Sequence, residues 1–345
     1  MKKLYPLKFK TNWKPKAWGG EYWDLCGFES EPSVVTDGFL AENDLEDILE
    51  TYMGDLVGDE IFDWHNLYFP LLTKRLIVED RLSVQVHPDD TVAAERFDDY
   101  GKTEFWYVLE AAPDARIYMG FREDCDASTL YRACKEGTAE QLLNAYTPRP
   151  GDCFFITPGT VHAAGGGLKI AEIQEASDIT FRLYDWGREF NPATRREIHL
   201  DEALDCINYR KYDEAACSCH LDGLTAGEGD DGGVKVLVND PHFIITSMAM
   251  RKPARIKMEE FKSCIVYICL SGEAAVTSRE EARRGAAAGK TSDAGPWTLK
   301  AGETMLIPVS MEDLQIVHAP GGVHLLQVHL PQPPKDDIYD GPEPA

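Results

Sequence analysis

Long apolar runs are missing from this chain. No stretch approaches the ~18 consecutive hydrophobic residues that a membrane-spanning helix needs. Positive charge is scarce as well. Against 59 aspartates and glutamates stand 35 lysines and arginines, a formal net charge of −24. That balance argues for a soluble protein and against nucleic acid or an anionic membrane as a partner. The opening MKKLYPLKFK is charged but has no apolar core of the kind a signal peptide carries. Paired cysteine spacing is absent too. The 9 cysteines are odd in number and scattered, the pattern of reduced thiols in the cytoplasm. Cys217 and Cys219 are near neighbours, but no second pair exists to complete a zinc knuckle.

What is present is enough apolar material, 43% of 345 residues, for two domains or for one with a large extension. Its most informative stretch is LSVQVHPDD at 82–90. Leu82, Val84 and Val86 alternate with Ser83, Gln85 and His87, the period-2 pattern of a strand with one face buried. Gln85 and His87 therefore share a face, about 7 Å apart along the strand, and both can reach one small ion. Pro88 ends the ladder because it has no N–H to donate. Alone, the pair fits a histidine hydrogen-bonded at a strand end equally well.

Two later stretches tip the balance toward a metal. Gly101-Lys102-Thr103-Glu104 leads into the aromatic strand Phe105–Leu109 with an acid at its mouth. Gly151-Asp152 opens a short apolar strand that closes in Pro158-Gly159-Thr160-Val161-His162. Gln85, His87, Glu104 and His162, delivered from three strands, make a mixed nitrogen and oxygen set that suits Zn2+ or another divalent first-row ion. Their order and spacing are those of a cupin barrel.

LSVQVHPDD, GKTEFWYVLEA, PGTVHAAGGG and EIQEASDITFRLYDWGR together resemble the signature blocks of the type I phosphomannose isomerases in their short bacterial form. Lys16-Ala17-Trp18-Gly19-Gly20 and Phe69-Pro70-Leu71-Leu72 fit the same family, and the similarity is strong from about residue 5 to residue 190. Phe181 stands where the family has a tyrosine, and Ala164 where it has a larger aliphatic residue; neither touches the ligand set. The resemblance implies a mainly β fold of two cupin (jelly-roll) barrels with a few peripheral helices. It implies a catalytic barrel over 1–190, a helical and loop connector over 191–233, a degenerate barrel over 234–331 and a disordered tail over 332–345. It further implies one Zn2+ per chain, a sugar phosphate substrate and interconversion of mannose 6-phosphate with fructose 6-phosphate through a cis-enediol.

Zinc has no redox chemistry, and with one anionic ligand it can polarise a carbonyl without freezing an enediolate as a salt. The resemblance assigns Lys102 and Arg182 as the catalytic cations, Lys102 for proton transfer and Arg182 to stabilise the enediolate or grip sugar and phosphate oxygens. Lys74, Arg75 and Arg188 are the other local cations that could hold phosphate. His65 is a further residue that could touch substrate. Gln85 in place of a first histidine argues against an iron oxygenase. A non-catalytic sugar-binding cupin is the alternative from another class, though it has little use for Lys102 and Arg182.

Elsewhere, 43–53, 91–97, 126–146 and 192–214 read as helical, and 168–182 as an alternating strand that sends Arg182 and Tyr184 to one face. Residues 217–233 read as a Gly/Asp loop and 280–295 as a mobile hairpin loop. A Leu270–Glu273 turn and the strand after Gly302 echo the first barrel. His318, His324 and His329 are too irregularly spaced for a second metal site.

Overall fold

The computed structural model describes residues 2–28, 30–222, 233–278, 296–311 and 313–333. Among the described residues the chain is mainly β, with three sheets and short helices. It divides into two compact units, each gathered from separated stretches.

The unit built from Asn12–Trp23 and Leu71–Leu221 contains β1 (Asn12–Lys16), β2 (Gly19–Leu25), β3 (Leu71–Val78), β4 (Val84–Val86), β5 (Glu104–Ala111) and β6 (Arg116–Phe121). It continues with β7 (Leu143–Tyr146), β8 (Asp152–Ile156), β9 (His162–Gly165), β10 (Leu168–Glu175), β11 (Phe181–Tyr184) and β12 (Ser218–His220). One sheet runs β1-β2-β3-β10-β5-β8-β12 and the other β11-β4-β9-β6-β7. Alternation decides what each strand gives to the space between them. Leu76, Trp106, Phe154 and Ile170 of the first sheet meet Ile117, Met119 and Ala164 of the second, with Trp18 in the same cluster. Each Leu, Ile, Met or Phe side chain buried there contributes about 1.5–3 kcal/mol of transfer free energy. Val84 and Val86 point the other way. They pack with Phe181, Leu183 and the helices Ala127–Glu136 and Leu200–Cys206. The five-stranded sheet is thus buried on both faces, which leaves Gln85 turned inward.

The other unit, from Met1–Thr11, Asp24–Pro70 and Asp222–Tyr339, holds β13 (Val234–Asn239), β14 (Ile244–Met250), β15 (Ala254–Ile256), β16 (Ile265–Ser278), β17 (Trp297–Lys300), β18 (Thr304–Ile307) and β19 (Leu314–His329). Its sheet runs β13-β14-β19-β16-β17, with β15 on β19 and β18 on β16. Met248, Tyr267, Met305, Ile316 and Leu325 belong to its core. The helix read at 43–53 spans Leu45–Tyr52, with the Asp44 side chain accepting from the Asp47 N–H and Leu45, Ile48, Leu49 and Tyr52 buried. His65 ends the helix Asp59–His65 of this unit.

Five expectations change. The helix read over 126–146 stops at Glu136, because Gly137 caps it in the left-handed region (φ 68°) and donates to the Ala133 and Cys134 carbonyls. A 3-10 turn and strand β7 follow. The stretch 192–214 is helical only over Leu200–Cys206 and at its very end, since the His199 N–H donates to the Arg182 carbonyl (2.8 Å) and ties the segment alongside β11. Leu270–Glu273 is no turn. It is a bulged part of the continuous strand β16, with Gly272 at φ 80°. Tyr184 leaves the face of Arg182, because a bulge between them turns it toward the helix-covered side. The loop read at 217–233 begins with strand β12; its residues 223–232, the hairpin at 280–295 and the tail from 334 lie outside the described residues.

The turn that opens β2 is tightly packed. Gly19 sits at φ 136°, and a Cβ there would lie 2.0 Å from the Ile77 carbonyl oxygen. The Trp18 carbonyl accepts from the Glu79 and Asp80 N–H groups at 2.9 and 3.1 Å. Gly19→Ala is expected to cost at least ~2 kcal/mol, read as a lower urea midpoint at unchanged m-value. A loss below ~0.5 kcal/mol would mean that the turn relaxes freely.

Candidate metal centre and active site

Strand pairing brings the signature residues together. Gln85 lies opposite His162 across β4 and β9, and opposite Arg182 across β4 and β11. Glu104 opens β5, paired with Ile156 on one side and Gln174 on the other. His87 follows β4 directly, its carbonyl accepting from the Gly159 N–H at 2.9 Å. The centre therefore draws on both sheets of the unit.

His87 Nε2 and His162 Nε2 lie 3.1 and 3.2 Å from the same oxygen, Glu104 Oε1. The three ligand-type atoms all fall within 4.8 Å of one another, and the residues are 0–1% exposed. Each histidine places Nδ1 2.9 Å from a backbone carbonyl, Ile179 O for His87 and Thr160 O for His162. A carbonyl only accepts, so both protons sit on Nδ1 and both Nε2 lone pairs face the centre. Burial, reinforced by Lys102, depresses the His87 imidazole to about 4 and keeps it neutral. Burial works against charge on Glu104, but the Lys102 ammonium outweighs it and holds the carboxyl well below its ordinary range. His87 Nε2 and Glu104 Oε1 are buried without a hydrogen-bond partner among the described residues. Two imidazole lone pairs and a carboxylate oxygen with no donor between them fit a divalent cation.

Gln85 is oriented with Oε1 accepting from Ser83 Oγ (3.0 Å) and Nε2 3.2 Å from His162 Nε2. Half a turn of the amide exchanges these roles. Oε1 then faces the centre and Ser83 accepts from the amide, so a fourth ligand atom, an oxygen, is available without backbone movement.

Around this centre lies a layer of buried charge. Lys102 Nζ is 3.3 Å from Glu104 Oε2 and 4% exposed. Lys74, also 4% exposed, is shared between Glu172 Oε1 (3.4 Å) and Glu21 Oε2 (3.7 Å). Burial would lower the Lys74 ammonium, but the two carboxylates outweigh it and hold it raised. Glu172 accepts from the Trp106 indole N–H at 2.8 Å, and Glu21 from that of Trp23 at 2.7 Å. Burial pushes the Glu172 carboxyl up, with Lys74 opposing and Glu104 adding. Burial also acts to raise Glu21, yet Lys74 and Lys16 bring it below its usual range.

Of the residues singled out from sequence, Gln85, His87, Lys102, Glu104 and His162 converge. Arg182 shares their face through its register with Gln85 and has a buried Nε with no partner among the described residues. Lys74 faces inward, opposite Glu172. Arg75, its neighbour on the strand, turns to the other face, where its guanidinium lies 4.9 Å from the Tyr22 ring. Arg188 pairs with Asp80 and the fully buried Asp185. Outside the site, His324 bonds Ser247 Oγ at 2.8 Å, His318 Nδ1 bonds the Ala319 carbonyl at 2.7 Å, and His329 packs edge-on against Phe261. Glu172 and Glu21 were missed. Their signal was an acid on the inward phase of an apolar strand, as in Ile170, Glu172, Gln174.

Comparison with known proteins gives this geometry its context. The family model for the type I phosphomannose isomerase catalytic domain matches residues 9–113. The mannose-6-phosphate isomerase of Streptococcus mutans is 31% identical over 264 residues, covering 76% of this chain and 78% of that protein. ManA of Bacillus subtilis, also named a mannose-6-phosphate isomerase, is 28% identical over 331 residues, covering 90% and 95%. Among solved structures, the mannose 6-phosphate isomerase from Bacillus subtilis aligns with a TM-score of 0.77 at 24% identity, over 95% of this chain and all of that one, and so shows a common fold. By sequence likeness across three quarters of its length, and by fold, the chain belongs to the type I phosphomannose isomerase family.

Proposed function

We propose that the chain is a metal-dependent aldose–ketose isomerase that interconverts mannose 6-phosphate and fructose 6-phosphate through a cis-enediol. One observation carries the reading. A cluster of His87, Glu104 and His162 with no donor between the three, extended by Gln85, stands beside the buried Lys102 and the half-buried Arg182. We assign those four residues as ligands of one Zn2+ per chain, in a cytoplasmic protein whose thiols are reduced. When bound, the ion supplies Lewis-acid polarisation of the substrate's carbonyl and hydroxyl oxygens.

The chain's own residues supply the rest. Isomerisation moves a proton from C2 to C1, so a group on one face of the sugar must accept it and return it. Lys102 lies on the Glu104 side of the centre and is assigned this proton transfer. Arg182, whose Nε has no partner among the described residues, places a planar fork where negative charge develops on the enediolate or the phosphate. Lys74 adds positive charge to the inward wall, held there by Glu172 and Glu21. The Trp106 and Trp23 indoles keep water from that wall while satisfying both carboxylates.

A coupled assay of mannose 6-phosphate turnover, with and without chelator, tests the whole reading. Metal-replete protein should turn the sugar over and chelated protein should not; no turnover under either condition would refute it. Metal content should be about one equivalent, lost largely in His87→Ala and unchanged when His318, His324 and His329 are replaced together. A content that survives His87→Ala would sink the ligand set.

Lys102→Met should lower kcat by at least ~10²-fold, and Arg182→Lys, which keeps charge but loses the fork, should be severely impaired. Both should retain metal. Normal turnover by both metal-replete variants would move the chemistry to another group, with Glu172 first in line.

A further inference from the structure

Strand β12 ends the seven-stranded sheet and pairs with β8 through Ser218–Phe154, Cys219–Cys153 and His220–Asp152. The Leu221 N–H donates to the Gly151 carbonyl at 2.9 Å. Hydrogen-bonded pairs alternate along an antiparallel ladder, so two residues back Cys219 and Cys153 form a hydrogen-bonded pair as well, with Cα atoms ~5.5 Å apart. That separation lies inside the range a disulfide spans. Directly opposed side chains also leave a strand pair on the same face, so the two sulfurs look the same way. The neighbouring His220 Nδ1–Asp152 Oδ1 contact of 2.7 Å keeps the register from slipping. Both cysteines are thiols. Cys153 is 1% exposed, whereas Cys219 is half-buried. Both line a partly open cavity of about 500 Å3, together with Tyr146, Phe154, Glu214 and His220. Cys217 belongs instead to the short helix Glu214–Cys217, outside the ladder.

We propose that Cys153 and Cys219 are an oxidation site that closes to a reversible cross-strand disulfide by exchange with a low-molecular-weight disulfide such as oxidised glutathione. The reagent enters through the cavity and meets Cys219 first, because Cys219 is the more exposed of the two residues. The Cys219 thiolate attacks one sulfur of the reagent, forms a mixed disulfide and releases one glutathione thiolate. Cys153 then loses its proton and attacks the Cys219 sulfur, and the second glutathione leaves. Two protein thiols become one disulfide, and one oxidised glutathione becomes two reduced ones. Cβ atoms in such a pair stand at the wide end of ~4.5–5.5 Å, and a disulfide draws them to ~3.5–4.5 Å. The strands must close by about 1 Å, which the three-residue edge strand β12 can supply more easily than β8. The bond is strained and therefore readily reduced.

The test incubates the reduced full-length protein with oxidised glutathione, blocks remaining thiols with an alkylating agent, and reads intact mass and linked peptides. The wild-type protein should lose two hydrogens in a Cys153–Cys219 linkage, and excess reduced glutathione should restore both thiols. Cys217→Ser should behave identically. Cys153→Ser should instead stop at one glutathione on Cys219, and Cys219→Ser should leave Cys153 unmodified. A linkage through Cys217, a Cys153–Cys219 pair that stays reduced at every glutathione ratio, or ready glutathionylation of Cys153 in Cys219→Ser would each overturn the proposal. The wild-type and Cys217→Ser results decide the matter even if either of the other variants folds poorly.

Discussion

A carboxylate oxygen and two imidazole lone pairs, aimed at one buried point, repel each other, and the surrounding unit is arranged to hold them there. Glu104 Oε1 meets both Nε2 atoms at 3.1 and 3.2 Å. Left to themselves such groups would rotate apart or take up a proton. The backbone prevents rotation by fixing each imidazole at Nδ1 through a carbonyl. Lys102 prevents neutralisation of the acid by standing 3.3 Å from its other oxygen. The convergence is thus maintained by main-chain groups on one side and one ammonium on the other.

The same logic extends outward in pairs. Lys74 answers Glu172 and Glu21, and each of those acids is further satisfied by an indole N–H. In a chain of net charge −24, a phosphosugar would be repelled by the protein at large and attracted only where these inward cations gather. Deleting one member of a buried pair leaves its partner uncompensated, a loss of about 3–5 kcal/mol. The layer around the centre is therefore mutually dependent, and its members cannot be ranked by single substitutions alone.

Much of this was legible in the residues. Period-2 alternation placed Gln85 and the valines beside it on opposite faces, the Gly101-Lys102-Thr103 lead-in put Glu104 at a strand mouth, and the Pro158-Gly159 turn did the same for His162. The apolar spacing across 43–53 marked a real helix. Local pattern failed where long-range contacts decided the outcome. Leu142, Leu143 and Tyr146 fit a helical stripe as well as a strand, and only Gly137 together with the waiting edge of β6 chose the strand. The bulge that separates Arg182 from Tyr184 leaves no trace in an alternating sequence. Glu172 looked like an ordinary strand acid until the register set it opposite Lys74.

The ligand-type atoms come from different sheets: Gln85 and His162 from β4 and β9, Glu104 from β5. An ion held among them would be a rivet between two layers that otherwise adhere through apolar packing. Separating the layers and releasing the ion would then be one motion, so the escape rate of the metal would be a clock for how often this sandwich breathes. Free metal in the surroundings would shift that breathing toward the closed state in proportion to its binding. The unit's rigidity would in this sense be set partly by its solution, through a point only a few ångströms across.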